Sequence, residues 1–304
     1  MNYQLLSRFL PIIIGTMVSC TSPSLKFEEE NGLIKLLDDQ RHVFSYQIET
    51  KSLDGQYPRA NYVHPLNDFT GNPLTEDFPE DHLHQRGIYW TWHQLYLDTV
   101  SMADPWICEG IEWDVRNVTS QVDGPNATIR AEVTWIAGAD KIPVLEEEVQ
   151  IEYHGSENFY YLDFSITLHS LKKSLAIGGS DDIKGYGGFS ARLIMGDNLA
   201  FSDASGEVIP DNEPVEAGNW VMMDAVGENQ NHVVIMYHPE STANLKGWIL
   251  RKSGSMQNPV WPGRERVVLD KNEQVEIKSR VVVFRGESTN TNIETIYQSY
   301  LTDK

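Results

Sequence analysis

The chain has 304 residues, with 44 acidic against 24 basic side chains and a formal net charge of −20. That balance argues against nucleic acid or anionic lipid as a partner, because an acidic surface repels a polyanion. It also disfavours a strongly anionic polysaccharide, unless basic groups are gathered at one site.

Residues 1–19 read as a signal peptide. A short start with Arg8 precedes an apolar core, Phe9-Leu10-Pro11-Ile12-Ile13-Ile14, that is too short and too broken to span a bilayer. Met17-Val18-Ser19-Cys20 then follows the pattern of a bacterial lipobox, with Cys20 as the lipidated first residue and residues 20–26 as a tether. The expected location is therefore the bacterial cell envelope, facing the periplasm or exterior, with membrane contact only through the Cys20 lipid. If Cys20 carries lipid, Cys108 has no partner for an intrachain disulfide, and it reads as a small apolar core residue. Residues 27–304 read as a single domain.

The stretch Tyr62–Leu95 holds four of the nine histidines, His64, His82, His84 and His93, together with Asp68, Glu76, Asp77, Glu80, Asp81 and Arg86. Pro65, Gly71, Pro73 and Pro79 make its first half a long loop, and long ordered loops are often functional. From Asp81 to Leu95 the composition is that of a strand, which places His82, His84 and Arg86 on one face. Two imidazoles so spaced bind one divalent metal ion with a third ligand from elsewhere, His64 or His238. Without a metal they serve as general acid and base, with Asp77 or Asp81 orienting one of them and Arg86 holding an anionic oxygen.

Pro65-Leu66, Thr75, Asp77, Pro79 and Asp81-His82-Leu83-His84-Gln85-Arg86-Gly87 carry a resemblance to a bacterial family labelled "methane oxygenase PmoA". Gln85 stands where members commonly have a further histidine. Weaker matches lie at Tyr186-Gly187-Gly188-Phe189-Ser190-Ala191-Arg192, Asn219-Trp220-Val221 and His238-Pro239. The resemblance implies a soluble β-sandwich domain from saccharide-degrading bacteria. It does not imply a membrane oxygenase, which needs several spans of about 20 apolar residues.

Further along, period-2 alternation runs through Thr128–Trp135, Glu148–Tyr153, Tyr160–His169 and Val275–Val283, and His232–Tyr237 is a compact apolar run. Asp123-Gly124-Pro125, His154-Gly155, Ser205-Gly206 and Pro262-Gly263 punctuate these segments as turns. The fold class is all-β, a large antiparallel two-sheet sandwich in the style of sugar mutarotases. A short C-terminal helix follows from the spacing of Ile293, Ile296, Tyr297, Tyr300 and Leu301, with Thr291 and Glu294 as a capping box. Asp181 to Gly188 reads as a flexible charged loop that brings Lys184 to a cleft.

The functional reading is an enzyme acting on a saccharide, cleaving a glycosidic linkage by elimination or hydrolysis. His82, His84, Arg86, Asp81 and Asp77 form its catalytic group. His64, Trp90, Trp92, His93, Lys184 and His238 bind substrate, with the tryptophans stacking on sugar faces. Histidines and an arginine suit proton abstraction beside a carbonyl, and the acidic surface favours a neutral keto-sugar over a uronate. No dinucleotide fingerprint is present, so no nucleotide cofactor is expected. Two rival readings are a non-catalytic glycan-binding lipoprotein and a metal-dependent oxidoreductase.

Overall fold

The alternating segments fold as long antiparallel strands. The computed structural model describes residues 25–302 apart from 242, 243 and 272. The expected signal peptide, Cys20 and the first part of the tether lie outside the described residues. In the strand Phe159–Ser170, Leu162, Phe164 and Ile166 are buried while Asp163, Ser165 and Thr167 between them are half-exposed. Such a pattern is what a sheet covered on one face requires.

A nine-stranded sheet runs in the order Ile111–Asp123, Asn126–Ala137, Ile142–Gly155, Phe159–Ser170, Gln274–Phe284, Asn231–Tyr237, Trp220–Val226, Phe201–Asp203 and Gly206–Glu207. A six-stranded sheet runs Leu25–Glu30, Leu33–Asp38, Arg41–Gln47, Tyr62–Leu66, Ile88–Thr91 and Gly188–Ala191. A four-stranded sheet holds Val267–Leu269, Leu175–Gly178, Gln94–Leu97 and Val100–Ala103. The hairpins fall at the turn signals: Gly124-Pro125 joins the first two strands of the large sheet.

The two large sheets share one apolar core. Trp90 and Phe189 of the six-stranded sheet lie 6.1 and 5.1 Å from Phe164 of the nine-stranded sheet. Trp90 and Trp92 therefore do not stack on sugar; they are 1% and 0% exposed. Each also needs a partner for its indole N–H once buried. Trp92 donates to the Trp261 carbonyl, and Trp90 donates to the carboxylate of Glu147. Glu147 also accepts from Trp135 Nε1 at 2.6 Å and Asn61 Nδ2 at 3.0 Å. This fully buried acid thus ties the two sheets together through hydrogen bonds. Burial pushes its pKa up to about 7, against the lowering effect of those donors. Cys108 is buried, as expected of a small core residue.

The C-terminal helix Asn290–Tyr300 buries Ile293, Ile296, Tyr297 and Tyr300. They pack on Val234, Met236 and Val282, on the nine-stranded sheet's other face. Its cap is not the expected Thr291–Glu294 box. Thr289 is the N-cap and its hydroxyl accepts from the Asn292 amide. Thr291 lies inside the first turn, and Glu294 accepts instead from Trp220 Nε1 at 3.1 Å.

Tyr62 and Tyr89 have the opposite parity to Val63 and Trp90. They point away from the main core into a smaller cluster with Trp106, Ile249, Met256 and Val260. Loops cover this outer face of the six-stranded sheet, and the candidate site forms where they meet.

Candidate functional site

Residues 81–87 do not form the expected strand. The His82 amide donates to the Pro79 carbonyl and the Gln85 amide to the His82 carbonyl, so the segment is a succession of turns; the next strand starts at Ile88. Gly87 ends the turns at φ +34, and a Cβ there would lie 2.0 Å from the Val63 carbonyl oxygen. Only glycine fits so close an approach.

The turns send Arg86 inward, away from His82 and His84. Arg86 is 0% exposed, and its guanidinium donates to Asp77 Oδ1, Tyr62 Oη and the carbonyls of Lys51 and Tyr57. It also lies 3.3 Å from the centroid of the Phe78 ring. Asp77 is correspondingly held by Arg86 and Lys51. Burial opposes ionisation of Asp77, but these cations outweigh it and keep the pKa low. The expected roles of Arg86 as an anion-holding group and of Asp77 as orienter of a catalytic imidazole are thus corrected. Their buried pair holds the loop instead.

Asp81 does orient a histidine: its Oδ2 lies 3.0 Å from His82 Nδ1. The carboxylate is fixed from behind by Arg192, at 2.7 Å from Nη2 and 3.2 Å from Nη1. Arg192, on the chain just after the strand Gly188–Ala191, also donates to Glu76 and Gln85. Burial opposes ionisation of Asp81 as well, but the bonds from His82 and Arg192 outweigh it, so the carboxylate stays charged.

A second pair of the same kind is formed by His93 and Asp104. His93 Nδ1 lies 2.9 Å from Asp104 Oδ2. Asp104 is itself fixed, since its other oxygen accepts from the amides of Trp106 and Ile107. A carboxylate at Nδ1 keeps the proton on that nitrogen, which leaves the Nε2 lone pair free to accept. Nε2 of His93 is buried and has no partner among the described residues. His93 stacks on Trp106 at 5.4 Å, and the Tyr186 ring meets it edge-on at 5.2 Å.

His84 is close enough to both pairs to feel their charges. Its ring is 5.7 Å from that of His82, and it feels the charges of His82, Arg59, His93 and Asp104. Burial first, then these positive neighbours, lowers its pKa to about 4, so the imidazole is neutral at neutral pH. The Tyr89 hydroxyl is also buried without a partner, and its ring packs 5.4 Å from Trp106.

Tyr186 is held over His93 by an ordered loop, not a flexible one. Asp182 Oδ1 accepts from Ser180 Oγ and from the Lys184 and Gly185 amides, and Ser180 Oγ accepts from the Tyr186 amide. The loop ends approach so closely that a Cβ on Gly179 would lie 2.1 Å from the Gly185 carbonyl oxygen. Lys184 rides on this loop, with its ammonium 3.7 Å from Asp182.

Two other expected residues lie elsewhere. His64 bonds Thr75 Oγ1 through Nδ1 and borders a separate groove with His42, Asp77 and Phe78. Burial first lowers its pKa to about 4. His238 meets the Tyr300 ring on the helix-covered side of the large sheet. Neither His64 nor His238 therefore joins His82 and His84 as a third metal ligand. Among the described residues, ligand atoms of three such side chains converge within 4.8 Å at Glu152, His154 and Asp163. These lie on two neighbouring strands of the nine-stranded sheet, and both Asp163 oxygens already accept from Arg280.

Sequence reasoning missed Asp104, Tyr89 and Arg59, and it gave no role to Tyr186 and Arg192. The Asp104-Pro105-Trp106 turn was the one local signal, since aspartate before proline often starts a turn.

The profile described as "Family of unknown function (DUF6807)" matches residues 34–298. No curated protein matches the chain in sequence. Among solved structures, a heparan sulfate lyase HepC from Pedobacter heparinus aligns with a TM-score of 0.45 at 10% identity, over 85% of this chain and 36% of its own. The chain thus spans about a third of that enzyme's length. A galactose mutarotase related enzyme from Lactobacillus acidophilus aligns with a TM-score of 0.40 at 8% identity, over 88% of this chain and 98% of its own.

Proposed function

The chain belongs to DUF6807, a family of unknown function, and from that premise we propose an enzyme that cleaves a glycosidic linkage in a saccharide by elimination. The observation that carries this reading is the pair of carboxylate-held imidazoles, Asp81–His82 and Asp104–His93, both within electrostatic range of the neutral His84. Elimination needs one group to take a proton from carbon and another to return one to the leaving oxygen. Two oriented imidazoles meet that need. Hydrolysis of a glycoside is usually done by two carboxylates flanking the bond. Here the nearest carboxylates, Asp81 and Asp104, are already engaged by His82, Arg192 and His93. The half-buried rings of Tyr57 and Tyr186 offer faces for a sugar to stack on.

The proposal keeps the outward address read from residues 1–20: a lipoprotein of the bacterial cell envelope, anchored through Cys20. Its rival is a glycan-binding lipoprotein without turnover. The test is cleavage of a panel of glycosides by wild type, His82→Ala and His93→Ala, with saccharide binding measured in parallel. The proposal expects turnover in wild type that both variants lose while still binding. Binding without turnover in wild type across the panel would support the rival.

A further inference from the structure

The segment that follows Arg251 packs against the candidate site, where Gln85 Nε2 lies 4.0 Å from Met256 Sδ. The Arg251 guanidinium is within electrostatic range of the Tyr186 hydroxyl, and Tyr186 meets His93. Three residues on, Gly254 passes so close to the other pair that a Cβ there would lie 2.8 Å from Asp81 Oδ2. Arg251 is half-buried, and the charge of Asp211 acts on it without a side-chain hydrogen bond between them. Its bonds go to backbone carbonyls: Nη1 donates to Asp211 and Leu250 at 2.6 and 2.9 Å, and Nη2 to Asn212 at 3.0 Å. A guanidinium has five N–H donors. The three carbonyls leave two donors, the Nε hydrogen and one on Nη2, for the oxygens of a carboxylate.

A second cation nearby points the same way. Arg59 is 1% exposed, donates to the carbonyls of Pro105 and Trp106, and lies 5.1 Å from the Tyr89 ring and 4.5 Å from the Trp113 ring. No carboxylate pairs with it among the described residues, and its Nε has no partner. Burying a guanidinium unpaired is costly. Kept beside the site, it adds a positive charge that His84 feels, although the whole chain is strongly acidic.

We propose that Arg251 binds the carboxylate of a uronic acid residue, so that the substrate is a uronate-containing saccharide. This rests on reading the two pairs as the acid and base of an elimination, and it replaces the neutral keto-sugar favoured by overall charge. With the Tyr186 ring that meets His93 edge-on swung aside, the otherwise buried Nε2 takes the proton from the carbon beside the carboxylate. The electron pair of that C–H bond forms a C=C bond as the neighbouring C–O bond breaks, and its electrons leave with the oxygen. His82 enters the step as the imidazolium paired with Asp81, supplies its proton to that oxygen and is left neutral. The negative charge that builds on the carboxylate is met by Arg251 and by the field of Arg59.

The test uses trisaccharides of galacturonate, glucuronate and mannuronate, each beside its methyl ester, which keeps the sugar and removes the charge. Calorimetry on the whole chain should show at least one acid form binding about tenfold or more tighter than its ester, the worth of one charge-assisted fork. Arg251→Gln should lose that preference, with acid binding falling to about the level of the ester. If Arg251→Gln fails to fold, Arg251→Lys serves, with the preference expected to shrink. Equal binding of acid and ester in all three pairs, or a preference that survives both substitutions, overturns the proposal. Preference for the acid with no ultraviolet absorbance from an unsaturated uronate leaves the carboxylate site standing and removes the elimination reading.

Discussion

At the scale of single residues, the site depends on imidazoles kept neutral or oriented by what surrounds them. Asp104→Asn keeps the shape but removes the charge that holds the His93 proton on Nδ1. We expect kcat to fall on the order of 10² to 10⁴-fold with binding little changed, read by steady-state kinetics. His84, with a folded pKa near 4 against an ordinary 6.5, binds its proton less tightly when folded than when unfolded. Its contribution to stability is therefore present above pH 6.5 and is lost as pH falls through 4. Glu147 has the opposite sign. Its folded pKa is raised from 4.5 to about 7, so its contribution is full below pH 4.5 and is lost as pH rises through 7. A change of that size corresponds to about 3 kcal/mol at most. Urea unfolding of wild type and Glu147→Gln at several pH values isolates it. The stability difference, wild type minus variant, should fall between pH 4.5 and 7; a difference that stays flat or grows would remove this account of Glu147.

At the scale of elements, loop 76–87 and the C-terminal helix show what holds local structure. Arg86→Ala leaves Asp77 buried beside an emptied space, and removing one partner of such a pair costs about 3–5 kcal/mol. Denaturant unfolding should show that loss, and the site loop should loosen with it. Thr289→Ala should cost about 1 kcal/mol through the lost cap, while Thr291→Ala should change the midpoint by less than about 0.5 kcal/mol. The long strands were legible because apolar and polar residues alternate without interruption, as in Phe159–Ser170. The same rule misled at His82 and His84. Two histidines two apart look like one strand face, but Phe78 at φ +54 and Gly87 at φ +34 turn the chain at either end. The helix was placed correctly from its apolar spacing, and its cap was not. Thr289 and Thr291 both suit the position, and only the path of the chain out of the Gln274–Phe284 strand decides between them.

At the scale of the whole molecule, two sheets fix a core, and loops from distant parts of the chain build the site on the outer face of the smaller sheet. Asp81, His82 and His84 could be read together because they are neighbours in sequence. Asp104, Tyr186 and Arg251 could not, since only strand order brings their loops to the same place. Trp90 and Trp92 were misread because a tryptophan that stacks on sugar and one that donates its N–H inside a core look alike in sequence. The outward address gives a separate prediction: Cys20→Ala should move the protein from the membrane fraction to the soluble fraction, and identical soluble fractionation of both forms would contradict lipid anchoring. The central claim is that His93, held by Asp104, removes a proton from a sugar carbon beside a carboxyl group. Hydrogen exchange at that carbon, followed in deuterated water with oligouronide substrate, tests it most directly. Wild type should place solvent deuterium there or release an unsaturated product, and His93→Ala should do neither. Cleavage that yields a saturated product with no deuterium at that carbon, or exchange that persists in His93→Ala, would contradict the account.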